Sequence, residues 1–251
     1  MRIAVAGATG RVGRHVVDVL EERGHEVVRI SRAAGVDLIT REGLPAALEG
    51  VDVVVDAATG PSPEEAAATE FFLGATRNLQ ELGEAAGVRR IVAVSIIGTD
   101  RFAGGYGAAK LAHERALLAG PVPAVILRAA QFHEFVEQLL EWGRQGDVAY
   151  VPRMRTQLVA ARSVAEAVAD LVEADAPPTM SDIAGPREES LAEAARLLLA
   201  RRGEAVRVEE VHDPGDPEQA VFASGALLPG PDATLAGPTF EAWLGATVPT
   251  A

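Results

Sequence analysis

The segment Ala6-Gly7-Ala8-Thr9-Gly10-Arg11-Val12-Gly13 has the residue types and the spacing to hold a dinucleotide. It lies between a strand-like run, Ile3–Ala6, and a helical pattern that opens at Val12. Gly7 allows a sharp turn off the strand, Gly10 a close approach of the backbone to a pyrophosphate, and Gly13 close packing of helix on sheet. The free amides and partial positive charge of the helix start face the phosphates, with Thr9, Arg11 and Val12 in the same contact set. The second strand, Val27–Ser31, ends in Ser31-Arg32. Sites for the form without a 2′-phosphate often carry a carboxylate here, on the ribose 2′-hydroxyl. A guanidinium instead suits a 2′-phosphate, so NADP(H) is expected ahead of NAD(H). Asp37-Leu38 and Ala57-Ala58-Thr59 follow strands on the same sheet edge and are candidates for the adenine and ribose walls.

Other chemistries are less well served. No cysteine is present, which removes disulfides, thiolate metal sites and a thiol nucleophile. His15, His25, His113 and His212 are scattered, with no metal-ligand spacing, so no metal is expected. Glu21-Glu22, Glu64-Glu65 and Glu188-Glu189 read as solvated faces or helix starts. No Gly-x-Ser-x-Gly elbow and no P-loop occur.

These residues need a scaffold, and the composition supplies one. The chain has 251 residues, 48% of them hydrophobic but only 4% aromatic, so its core must be built from Val, Leu, Ile and Ala. That suits parallel strands covered by helices on both faces. A net charge of −13 with no basic run argues against a general nucleic-acid binder. With no leader pattern and no apolar run near the ~20 residues of a membrane span, a cytoplasmic protein without a membrane partner is expected.

Strands are predicted at Ile3–Ala6, Val27–Ser31, Val51–Ala57, Arg90–Ser95 and around Val125–Leu127. They alternate with helices at Val12–Arg23, Leu44–Leu48, Pro63–Ala86, Tyr106–Leu118 and Phe132–Trp142. This order predicts an α/β fold, a Rossmann-like doubly wound parallel sheet. The nucleotide core is placed at 1–152. Residues 153–251 complete the fold and the substrate pocket, with a soft boundary near Pro152. Helices are expected at Ser163–Glu173 and Leu191–Arg202, strand-like runs at Gln157–Ala160 and Val206–Val211, and short helices around Glu218 and Phe240.

The glycine spacing resembles the short-chain dehydrogenase/reductase superfamily in its atypical branch, and most of all the NmrA-like NAD(P)-binding proteins. The resemblance continues through Gly74-Ala75-Thr76-Arg77-Asn78-Leu79, Val94-Ser95-Ile96-Ile97-Gly98 and Leu127-Arg128-Ala129-Ala130-Gln131-Phe132. It covers about three-quarters of the chain and fades after Gly185-Pro186. Tyr106-Gly107-Ala108-Ala109-Lys110 matches the superfamily's Tyr-x-x-x-Lys pattern, whose two side chains share one helix face. The resemblance implies that Lys110 lowers the phenol's pKa and reaches the nicotinamide ribose, while Tyr106 transfers a proton. Ser95 would hydrogen-bond the substrate oxygen. Asn78 resembles a structural helix asparagine of the extended branch. Gln131, Phe132, His133 and Phe135 follow the fifth strand and are expected to line the substrate pocket.

An NADP(H)-dependent oxidoreductase acting on a small carbonyl, quinone or conjugated compound is the leading expectation. A redox-sensing NADP-binding regulator without turnover is the alternative from another class. An epimerase or dehydratase with tightly held cofactor is a third. A small-molecule substrate is the expected partner, and a homodimer is compatible with the sequence.

Overall fold

The computed structural model describes residues 1–213 and 215–248. In chain order the elements are β1 (Arg2–Ala6), α1 (Gly13–Glu22), β2 (Glu26–Ile30), α2 (Leu44–Leu48), β3 (Val53–Asp56), α3 (Glu65–Ala86), β4 (Arg90–Ile96), α4 (Gly105–Leu118), β5 (Ala124–Ala129) and α5 (Phe135–Gly143). Then come β6 (Arg144–Gln145), β7 (Val148–Pro152), β8 (Arg155–Thr156), α6 (Ala161–Glu173), β9 (Met180–Ala184), β10 (Glu189–Ser190), α7 (Leu191–Arg201), β11 (Arg207–Val211), α8 (Pro217–Ser224), β12 (Thr234–Leu235) and α9 (Phe240–Thr247).

Seven parallel strands form the central sheet in the order β12-β9-β5-β4-β3-β1-β2. Strand alternation assigns each face a separate core. Ile3, Val5, Val53 and Val55 point to the side covered by α1 and α6, where Val16, Leu20, Val164 and Val168 meet them. Ala4, Ala6 and Val54 point to the other side, against Leu44, Leu48, Leu79 and Leu117 of α2, α3 and α4. Both faces of these strands are buried, which is why they read as unbroken Val and Ile runs.

The sheet does not end near Pro152. α6, β9 and β12 return to it, and β9 pairs with β5. A smaller layer beside it holds the β11-β7-β6 sheet, the β8–β10 pair and α5, α7 and α9, around Val151, Leu191, Leu198 and Phe240. Two expectations change here. Gln157–Ala160 is extended but is no strand, since its one sheet-like contact is the bridge from Val159 to Phe132. That bridge and the bond from the His133 amide to the Val159 carbonyl delay the helix, which starts at Phe135 rather than Phe132. Among the described residues, no helix is long and apolar enough to cross a membrane.

Candidate functional site

Sheet order reverses direction at β1, with β2 on one side and β3 on the other. The carboxyl ends of β1 and β3 therefore open a crevice, the place where open α/β sheets bind ligands. Gly7 leaves β1 with φ +74°, and a Cβ on it would lie 2.7 Å from the Ala57 carbonyl oxygen, beyond β3. A Cβ on Gly13 would lie 2.0 Å from the Gly7 carbonyl oxygen. Only glycine fits at either position. Gly10 is exposed and donates to the Gly7 carbonyl at 2.8 Å. The amides of Arg11, Val12 and Gly13 have no backbone acceptor among the described residues. This cradle of free amides at the start of α1 fits a pyrophosphate. Thr9 and Arg11 are exposed at its rim, and the Arg11 guanidinium donates to the Gln138 side chain of α5 at 2.8 Å.

Ser31 caps the short 3₁₀ turn Arg32–Ala34, accepting the Ala34 amide at 3.3 Å. Arg32 projects as an exposed residue at the carboxyl end of β2. The Asp37 carboxylate accepts the amides of Ile39 at 2.7 Å and Thr40 at 2.9 Å. The Thr40 amide, then that of Ile39, holds its pKa below the ordinary aspartate value. Asp37 is thus committed to its own turn, with Leu38 buried beside it. Asn78 of α3 ties this loop down. Its amide donates to the Leu38 and Ile39 carbonyls at 2.6 and 3.0 Å, and its oxygen accepts Arg41 Nε at 2.7 Å. Asn78→Ala should lower stability by about 1–3 kcal/mol in urea melts, because it leaves the Leu38 and Ile39 carbonyls without their donor. Across the crevice, the Ala57 amide bonds the Ala6 carbonyl at 3.1 Å, Ala58 is buried and Thr59 is exposed.

Ser95 stands one residue from the end of β4, buried, and its hydroxyl has no partner among the described residues. Tyr106 is the second residue of α4, whose start is held by the Glu65 carboxylate accepting the Gly105 amide at 2.8 Å. The half-buried phenol ring meets Phe72 edge-on at 5.8 Å. Burial pushes its pKa up to about 12.

Lys110 departs from expectation. Its ammonium turns into the core, donating to the Val94 carbonyl at 2.9 Å and to His113 Nδ1 at 3.1 Å. Burial brings it down to about 8. The Tyr106 phenol is raised by burial, and Lys110 is not among the groups acting on it. His113 is not an isolated histidine either. Its Nε2 lies 3.0 Å from the Asp56 carboxylate. Asp56, His113 and Phe72 are the residues that sequence reasoning missed.

Beyond β5, the Gln131 side chain accepts the Thr156 hydroxyl at 2.8 Å, and Phe132 packs on the α1–α6 side of the sheet. Phe135 meets Trp142 edge-on at 6.0 Å. His133 is buried among the C-terminal aromatics, with Phe240 at 5.4 Å and Trp243 at 5.3 Å. Its Nε2 donates to the Pro238 carbonyl at 3.1 Å, and burial lowers its pKa to about 4, which leaves it neutral.

Fold and cradle together define a Rossmann-type dinucleotide-binding protein. The family profile described as NAD(P)H-binding matches residues 7–175, and the chain belongs to that family. Over 103 residues it is 36% identical to L-arabinose 1-dehydrogenase (NAD(P)(+)) of Haloferax volcanii, covering 38% of this chain and 40% of that protein. Over 115 residues it is 36% identical to the 3-diazoavenalumate denitrifying reductase of a Streptomyces species, covering 38% of each. The chain thus spans about two-fifths of the length of these curated relatives. Among solved structures, MoeE5 in complex with UDP-glucose and NAD superposes with a TM-score of 0.72 at 19% identity, over 99% of this chain and 100% of that one. That likeness establishes the fold.

Proposed function

We propose that the chain is an NADP(H)-dependent oxidoreductase of the atypical short-chain dehydrogenase/reductase type, reducing a small carbonyl, quinone or conjugated compound in the cytoplasm. The observation that carries this reading is the Ser95 hydroxyl, buried and without a partner among the described residues, on the same carboxyl edge of the sheet as the Gly7 turn. A buried hydroxyl left unpaired is costly unless a ligand atom takes it. A substrate oxygen is such an atom, and Ser95 would steady the charge that develops on it.

The bound nicotinamide supplies the hydride. Tyr106 supplies the proton from a phenol that stays protonated far above neutral pH. A retained proton is what a general acid needs at the start of a reduction. Absorbance assays of NADPH with a panel of carbonyls and quinones test the reading. Saturable turnover with any of them supports it, and none with all of them counts against it.

The 2′-phosphate preference rests on Arg32, exposed at the end of β2, and on Asp37, whose carboxylate its own loop occupies. Arg32→Glu should weaken NADPH binding about tenfold or more while sparing NADH, as read by calorimetry. Equal effects on both cofactors would remove Arg32 from this role. One observation favours a second reading, a cofactor-sensing regulator without turnover: the inward engagement of the Lys110 ammonium. Its signature is strong discrimination between NADP+ and NADPH in calorimetry with no turnover in the same panel.

A further inference from the structure

Three ionisable side chains meet beneath the carboxyl ends of β3 and β4 with almost no exposure: Asp56 at 2%, His113 at 1% and Lys110 at 4%. Such a group is costly to bury unless every charge and polar atom is paired. The pairing here is ordered. Lys110 Nζ lies 3.1 Å from His113 Nδ1, and His113 Nε2 lies 3.0 Å from Asp56 Oδ2. The other Asp56 oxygen accepts the Ala58 amide at 3.1 Å. Phe72 lies flat on the His113 imidazole at 4.7 Å and 13°, and its ring centroid is 4.6 Å from Lys110 Nζ, so it shuts the group off from water.

We propose that His113 and Asp56 are positioning residues that fix the Lys110 ammonium and couple it to the loop walling the cofactor cradle. An ammonium has only donors, so His113 Nδ1 accepts from it, and the single imidazole proton sits on Nε2, donated to Asp56. The assignment follows from the network, and it leaves the imidazole neutral between a cation and an anion. The chain of contacts then runs from Lys110 through His113 and Asp56 to Ala58. Ala57 and Ala58 are the residues a Cβ on Gly7 would strike. At its other end the ammonium bonds the Val94 carbonyl, next to Ser95. One buried relay therefore spans the cofactor wall and the candidate proton-transfer edge.

The surroundings single out Asp56 as the counter-ion. The charged groups acting on Lys110 are Asp56 from β3 and Glu114 from its own helix. Arg128 of β5 already takes Glu114, with contacts of 3.0 and 2.6 Å, and the Thr99 hydroxyl donates to it at 3.2 Å. β4 offers only a carbonyl, and α3 an apolar ring. Burial lowers Lys110, while Asp56 and Glu114 oppose that. Burial and Lys110 lower His113, which keeps it neutral at physiological pH.

The relay itself does not depend on the oxidoreductase reading, and neither does its test. Nitrogen-15 NMR of the wild-type protein reads the His113 tautomer and the Lys110 ammonium titration, assigned by loss of each signal in His113→Gln and Lys110→Met. Expected is one tautomer, protonated at Nε2 and bare at Nδ1, from pH 6 to 8. In Asp56→Asn, which keeps the side-chain shape, the Lys110 midpoint should fall by about one pH unit or more. An imidazole protonated at Nδ1, or an Asp56→Asn midpoint equal to wild type, would overturn the proposal. The tautomer is read in the unaltered protein, so it decides the matter even if the variant does not fold. Absence of turnover with the expected tautomer present would count against the oxidoreductase reading alone.

Discussion

Tyr106→Phe should reduce turnover by about 10²- to 10⁴-fold, the usual worth of a positioned proton donor, while NADPH affinity stays within about twofold. The phenyl ring remains to meet Phe72, so packing at the start of α4 is kept. Only the hydroxyl goes. Because burial holds the phenol up to about 12, it carries its proton across the working range. The reductive rate should therefore show no phenol-linked loss between pH 6 and 9. Steady-state assays of the variant and a pH profile of the wild type check both statements. Unchanged turnover in Tyr106→Phe would remove Tyr106 from the chemistry.

Gly13→Ala should weaken NADPH binding by about 100-fold or more in calorimetry, near 3 kcal/mol, with a smaller loss of stability. Its Cβ would stand 2.0 Å from the Gly7 carbonyl oxygen, a backbone atom that cannot step aside without distorting the cradle. Gly24→Ala, a destabilising change away from the cradle, is the control. Gly24 has a positive φ, +80°, which Gly13 does not, and nothing lies within 4 Å of a Cβ there. That control should cost about 1 kcal/mol in stability and leave cofactor affinity unchanged. Equal effects of the two substitutions on affinity would mean that general destabilisation, not the cradle, is being measured.

The Rossmann core was legible because its signals are local. β1, β3 and β4 are Val- and Ile-rich runs, and the glycine turn has a strand before it and a helix after it. β9 escaped notice because Ser181 and Asp182 interrupt its apolar pattern, and β12 has only two residues. Conversely, Gln157–Ala160 has strand-like residues but no neighbouring strand to pair with.

The site divides in the same way. Tyr106 and Lys110 could be placed on one helix face from spacing alone, but what that face meets depends on β3 and β4. His113 lies three residues beyond Lys110, within reach on the helix. Asp56 lies 57 residues away from His113 and arrives only through the sheet order. That is why the ammonium was expected at the ribose and is found on the Val94 carbonyl and His113. His133 shows the same limit. Its aromatic partners, Phe240 and Trp243, come from the far end of the chain.

The central claim is that the Gly7–Gly13 cradle and Arg32 form an NADP(H) site. Calorimetric titration of the unaltered protein with NADPH and NADH tests it most directly. Saturable one-site binding of NADPH is expected, tighter than NADH by about tenfold. Absence of NADPH binding, or a preference for NADH, would contradict it.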